Sequence, residues 1–258
     1  MSDRDRDGEE VTLYGVHPVL ETLERRPRTV DRVLVARERR GAKLGRLLRV
    51  ARESGIPVSH VPRKVLDRAV GSGRSHQGVV AVAAAAPYAD AERLCRDAGG
   101  REDGLLVALD GVQDPRNLGA VIRTAAGAGV HGILLGTEGT VGLTSAAVKT
   151  SAGAVERIEV AREPRLAGRL RDLAARGFTA VGLDPKGESE WDRVPMTGRI
   201  ILVAGGEERG LRRGVAEACD HRVAVPLAPG VDSLNLSVSV GIVLFETVRQ
   251  RRAARADR

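Results

Sequence analysis

Leu105-Leu-Val-Ala-Leu109 runs directly into Asp110-Gly-Val-Gln-Asp114-Pro-Arg116-Asn117-Leu-Gly119-Ala-Val-Ile-Arg123, and the reading of this stretch decides the fold. An unbroken apolar run without polar alternation is the signature of a strand buried on both faces, which belongs in a parallel sheet. Asp-Pro then turns the chain, and a helix is predicted over 118–128. The same rhythm continues downstream. Strands are predicted at 133–135, 157–160, 179–183, 200–204 and 222–226, with helices between them at 145–152, 166–176 and 211–218 and a long last one over 234–252. Strands alternating with helices imply an α/β sheet covered on both faces, whose ligands sit at the carboxyl ends of its strands.

Upstream, residues 11–86 alternate helix (18–25, 44–53, 63–70) with strand (32–36, 58–61, 79–84) and make a smaller α/β module. Residues 87–103 carry Pro, Gly-Gly and charges around one short helical stretch, 91–98, and are expected to link it to a second domain, 104–258. Residues 1–10 form a polar stretch with no apolar signal region and are expected to be disordered.

With 42% apolar residues in 258, the chain can bury a substantial core. Its net charge of +7, dominated by arginine, points to a polyanionic partner such as RNA, although compositional bias toward arginine is the alternative. Aromatic residues are 2% of the chain, which excludes a sheet of stacking aromatics, so RNA contacts would run through phosphate, sugar and shape. Cys95 and Cys219 are far apart and outside any C-x-x-C pair, so neither a disulfide scaffold nor a metal site is expected. No apolar run approaches a membrane span, and a cytoplasmic location is expected.

Three segments stand out, each after a predicted strand of the second half. Asn117 and Arg123 lie on the first helix of that half, six residues apart and therefore on different faces of it. Gly205-Gly-Glu207-Glu-Arg-Gly210 offers glycines that permit positive φ and close backbone approach to a ligand. Pro226-Leu-Ala-Pro-Gly-Val-Asp-Ser233-Leu-Asn235 ends in a hydroxyl and an amide at the start of a helix. Each has a purely structural reading: Asn117 and Ser233 as helix caps, Glu207 as a first-turn acid, Arg123 as a solvated helix residue. Gly127-Ala-Gly129-Val-His-Gly132 matches a dinucleotide-binding spacing but closes a helix instead of opening one, so it reads as a helix C-cap and turn.

Together the three segments resemble the signature motifs of the SpoU branch of the SPOUT RNA ribose 2'-O-methyltransferases, over about residues 105–250. The N-terminal module, with Tyr14-Gly-Val-His17 and Ser75-His-Gln-Gly78, is similar to the ribosomal-protein-like substrate-binding domain of the subgroup that modifies a guanosine in large-subunit rRNA. The resemblance implies a trefoil-knotted C-terminal domain, a homodimer, and S-adenosylmethionine as cofactor. It implies Gly205, Val225, Leu227 and Leu234 as cofactor contacts, and Asn117, Arg123, Glu207, Ser233 and Asn235 as the candidates for chemistry. Arg123 is there expected to stabilise a developing alkoxide and hold a phosphate, since a guanidinium is a poor base. Glu208-Arg209 and Pro229 depart from the usual motif, which leaves the RNA target open among rRNA, tRNA and an antibiotic-resistance role, with a catalytically silent assembly factor as a further alternative. His76 is expected to pack or cap its own loop.

Overall fold

The computed structural model describes residues 12–71 and 74–256; the expected disordered stretch at 1–10 lies outside them. The chain divides into two compact units, one up to Tyr88 joined by Gly142–Ala146, the other comprising Ala89–Val141 and the chain from Ala147 onward.

The first unit runs β1 (Thr12–Tyr14), α1 (Val16–Arg25), β2 (Val30–Ala36), α2 (Ala42–Glu53), β3 (Val58–Val61), α3 (Arg63–Val70) and β4 (Val79–Ala83). Its sheet has the order β1-β4-β2-β3, with β2 and β3 parallel and β4 antiparallel to both its neighbours. α1 and α2 cover one face, where Val19, Leu23, Leu47 and Ala51 meet Val33, Val35, Val79 and Ala81. Leu66 and Val70 of α3 cover the other face against Ala36 and Val80. β1, three residues long, was not expected, because so short a strand leaves no periodicity to read.

Two buried polar groups hold this unit at opposite ends of its sheet. The Tyr88 hydroxyl donates to Asp31 Oδ1 at 2.7 Å and accepts from the Leu143 N–H at 2.8 Å. The His76 ring is 1% exposed; Nδ1 accepts from the Gly78 N–H at 3.0 Å, which leaves the proton on Nε2, 2.8 Å from Asp67 Oδ1. His76 thus secures its own turn, as its sequence context implied.

The second unit contains α4 (Ala91–Gly99), β5 (Leu105–Asp110), α5 (Pro115–Gly127), β6 (Gly132–Gly136), most of α6 (Ser145–Thr150), β7 (Glu159–Glu163), α7 (Leu166–Ala174), β8 (Phe178–Leu183), β9 (Ser189–Glu190), β10 (Arg199–Gly205), α8 (Arg213–Ala216), β11 (His221–Ala224) and α9 (Leu236–Ala256). Its seven strands pair in parallel in the order β7-β6-β5-β10-β8-β11-β9. Every residue of β5 is buried, as the continuous apolar run requires. Burying each of its leucines contributes roughly 1.5–3 kcal/mol.

Within 87–103, the helical stretch expected at 91–98 forms α4, which places Leu94, Cys95 and Ala98 in the core of the second unit with Leu106, Leu134 and Ala161. Two boundaries differ from the sequence reading. Helix α5 starts at Pro115, capped by Asp114, whose Oδ1 accepts from the Arg116 N–H at 2.8 Å. Proline suits that position because its missing N–H would have had no helical partner. Helix α9 starts two residues later than expected, and Asn235, not Ser233, caps it: Asn235 Oδ1 accepts from the Ser237 N–H at 2.9 Å. The Gly127–Gly132 stretch closes α5 and enters β6 through Gly129 at φ +73°, the turn its order predicted.

Candidate active site

The three singled-out segments leave the carboxyl ends of β5, β10 and β11. Parallel register sets Gly205 beside Asp110, so the loop after β10 begins against the loop after β5. The approach is too close for a side chain. A Cβ on Gly205 would lie 2.0 Å from the Gly210 carbonyl carbon, and one on Gly206 would lie 2.2 Å from the Gly111 carbonyl oxygen. The Gly210 N–H closes the turn onto the Gly206 carbonyl at 2.9 Å, with Gly210 at φ +63°. This compact glycine turn holds Glu207 at its edge.

From there a hydrogen-bonded chain joins all three segments. Asn117 Nδ2 donates to Glu207 Oε1 at 2.5 Å. Asn235 Nδ2 donates to Asn117 Oδ1 at 2.9 Å. Ser237 Oγ donates to Asn235 Oδ1 at 2.6 Å. Each amide accepts on one side and donates on the other, so the donors point in one direction toward the Glu207 carboxylate, where the negative charge strengthens the last bond. Asn117 is 9% exposed, in the first turn of α5, and so belongs to the buried end of the chain. Residues up to 118 positions apart in sequence are fixed together by three short polar side chains.

A fourth element of the site went unread in the sequence. Asp110, the last residue of β5, is 0% exposed, and its carboxylate accepts from the Arg212 N–H at 2.9 Å and from Arg212 Nε at 2.7 Å. The second guanidinium arm of Arg212 reaches Glu138. Hydrogen bonding to Asp110 holds the Arg212 pKa above its ordinary value. Because β10 enters the glycine turn beside Asp110 and Arg212 leaves it gripping the same carboxylate, one buried acid gathers both ends of the turn. The available signal was the charge ending an otherwise apolar strand, since a buried carboxylate needs a partner.

Other expected site residues are not drawn into the chain. Arg123 is exposed on α5, and Ser233 and Leu234 are exposed on the loop before α9; the side chains of Arg123 and Ser233 make no hydrogen bond or ion pair among the described residues. Val225 and Leu227 are half-buried on the same loop. Burial raises the thiol of Cys219 to about 12 and that of Cys95 to about 11, so both stay protonated at neutral pH. No metal-holding cluster occurs among the described residues.

Residues 104–245 match the SpoU rRNA methylase family, and residues 12–89 match the RNA 2'-O ribose methyltransferase substrate-binding family. An uncharacterised tRNA/rRNA methyltransferase of Mycobacterium avium (strain 104) is 40% identical over 248 residues, covering 96% of this chain and 80% of its own. The 23S rRNA (guanosine-2'-O-)-methyltransferase RlmB of Xylella fastidiosa (strain 9a5c) is 40% identical over 245 residues, 93% of this chain and 96% of that protein. Among solved structures, the SpoU methyltransferase AviRb of Streptomyces viridochromogenes, in complex with the cofactor AdoMet, superposes with a TM-score of 0.59 at 26% identity, covering 95% of this chain and 91% of AviRb. The chain belongs to the SpoU rRNA methylase family and is an RNA methyltransferase.

Proposed function

We propose that this chain methylates a ribose 2'-hydroxyl of large-subunit ribosomal RNA, using S-adenosylmethionine bound at the loops after β10 and β11. The observation that carries the reading is the Glu207–Asn117–Asn235–Ser237 chain, which ties the three motif segments together at the carboxyl ends of a parallel sheet. The residues fit that cofactor. Gly205 and Gly206 let the turn fold tightly onto Gly210 and Gly111 where a Cβ would clash, Gly210 leaves open space at the turn's end, and Val225, Leu227 and Leu234 would offer apolar side chains to the cofactor from the neighbouring loop. S-adenosylmethionine, when bound, supplies an electrophilic methyl group on a sulfonium.

The protein's own residues then have three tasks. The glycine turn and the 225–235 loop bind. The polar chain fixes the distance between them, which matters because methyl transfer requires an in-line approach. Arg123, whose exposed side chain has no partner among the described residues, would hold an RNA phosphate and stabilise charge developing on the attacking oxygen. A guanidinium is a poor proton acceptor, so the proton passes to phosphate or water. Ser233 and Asn235 shape the loop.

The same reading makes residues 11–86 the RNA-gripping part and residues 104–258 the methyltransferase, with the C-terminal segment threaded as in knotted members of the family. It also makes the active form a homodimer. Val231, Leu234, Val238 and Phe245 are 36–52% exposed, and Val238 and Phe245 lie seven residues apart on one face of α9, an apolar stripe that a second copy would cover.

The test is incubation of the purified chain with radiolabelled S-adenosylmethionine and protein-free large-subunit rRNA, followed by mapping of ribose methylation through resistance to alkaline cleavage. One protected position is expected. Incorporation into tRNA alone would replace the substrate, and cofactor binding without incorporation into either RNA would overturn the reading.

A further inference from the structure

In the first unit, the carboxyl ends of β1, β2 and β3 and the start of β4 lie at one end of the sheet, as the pairings Tyr14 with Val80, Val35 with Val79, and Ala36 with Val61 require. The β2–α2 loop and the start of α3 therefore share that end. They bring Arg37, Arg39, Arg40, Lys43, Arg63 and Lys64 together. Two acids stand near them, Glu38 and Asp67, and Asp67 is already engaged with His76.

The placement of these cations relative to the helices sets them apart from the other arginines of the unit. Lys43 is in the first turn of α2, and Arg63 and Lys64 open α3; neither helix has a side-chain cap or an acid in its first turn. A helix N-terminus carries partial positive charge and unsatisfied N–H groups, so these positions favour acids and disfavour lysine and arginine. By contrast Arg25, Arg52 and Arg68 occupy the last turns of α1, α2 and α3, where the helix dipole welcomes them and no ligand is needed. Local preference is thus satisfied at one end of these helices and violated at the other, the pattern expected where a function offsets a local cost.

Arginine geometry points the same way. The Arg39 stem lies over Gly78, where a Cβ would come within 3.2 Å of it, and its Nε is buried without a partner. Arg40 folds back onto the carbonyls of Arg37 and Arg39, which fixes the β2–α2 loop in a defined shape. With few aromatics in the chain, base stacking is not available to this surface, and phosphate is the group that matches clustered guanidinium and ammonium donors next to open helix N-termini.

We infer that this end of the N-terminal sheet, built from the β2–α2 loop and the first turns of α2 and α3, is the face that grips the RNA phosphate backbone. The inference rests on the RNA-methyltransferase reading above and adds where the RNA is held.

The test compares two double charge reversals with equal change in net charge. Arg63→Glu/Lys64→Glu lies in the proposed face; Arg49→Glu/Arg52→Glu lies in the second half of α2. Acids at the start of α3 suit its dipole, so the first variant is expected to melt no lower than the parent chain, which separates lost binding from lost folding. Its affinity for a large-subunit rRNA transcript is expected to fall about tenfold or more, and the slope of log affinity against log salt to become shallower by about 1–2, as two lost phosphate contacts imply. Its S-adenosylmethionine affinity should be unchanged, and the control pair should stay within about threefold of the parent. Equal losses from both pairs, or from neither, would overturn the face. A parent chain that binds S-adenosylmethionine but no RNA would instead overturn the functional reading on which the face depends.

Discussion

The two ends of the seven-stranded sheet are built on different principles. At the amino ends the polar groups lock onto backbone: the Arg251 guanidinium from α9 donates to the carbonyls of Asp103, Gly104, Met196 and Gly198, and His131 Nδ1 accepts from the Leu105 N–H. At the carboxyl ends, side chains bind side chains, glycines replace bulk, and several loop residues remain exposed. Backbone groups are present whatever the sequence, so the amino end is a frame. A side-chain relay exists only with those side chains, so the carboxyl end is where function can be specified. The difference predicts that damage to one end shows as lost stability and damage to the other as lost activity.

The hardest challenge to that division is Asp110–Arg212, a stability element inside the functional end. Arg212→Ala leaves a fully buried carboxylate without its cation and is expected to lower the unfolding free energy by about 3 kcal/mol, measured by urea denaturation, and to weaken cofactor binding as well. Asn117→Ala removes the middle of the relay. Methylation should fall about 100-fold, equivalent to about 2.7 kcal/mol in the barrier, while the urea midpoint shifts little. Equal loss of stability and activity would dissolve the distinction between the two ends.

The smallest effect sharpens the comparison through pH. Burial, followed by the charge of Arg101, holds the His131 pKa below its ordinary value. Its unfolded form therefore binds a proton at higher pH than its folded form does, and stability is lost as pH falls from about 6.5 toward the folded value. A lower melting temperature at about pH 5.5 than at about pH 7.5, with the difference reduced in His131→Asn, is the expected outcome in thermal melts. An unchanged drop in that variant would move the source elsewhere.

Much of this organisation was legible in residue order. The apolar run of β5 announced the parallel sheet, and the three motif segments announced which strand ends to inspect. What escaped has physical reasons. Ser233 and Asn235 are both good cap residues, and only the backbone path shows that the helix starts at Leu236. Residues 91–98 are amphipathic, but amphipathicity does not say whether the apolar side finds a core, and α4 found that of the second unit. Asp110 looked like the start of a loop because its partner is 102 residues away.

The hydrogen bonds of the Tyr88 hydroxyl to Asp31 and Leu143 have a bearing on how such proteins can diversify. Gly142–Ala146, encoded within the second half, is a working part of the first unit, so the chain crosses between the two units three times. A gene segment ending at residue 88 would export the first unit without this piece and leave Tyr88 without one of its partners. Exchange of the N-terminal unit for another recognition module is therefore constrained to bring a matching five-residue insert with it, and the two halves are bound to vary together rather than be shuffled as independent cassettes.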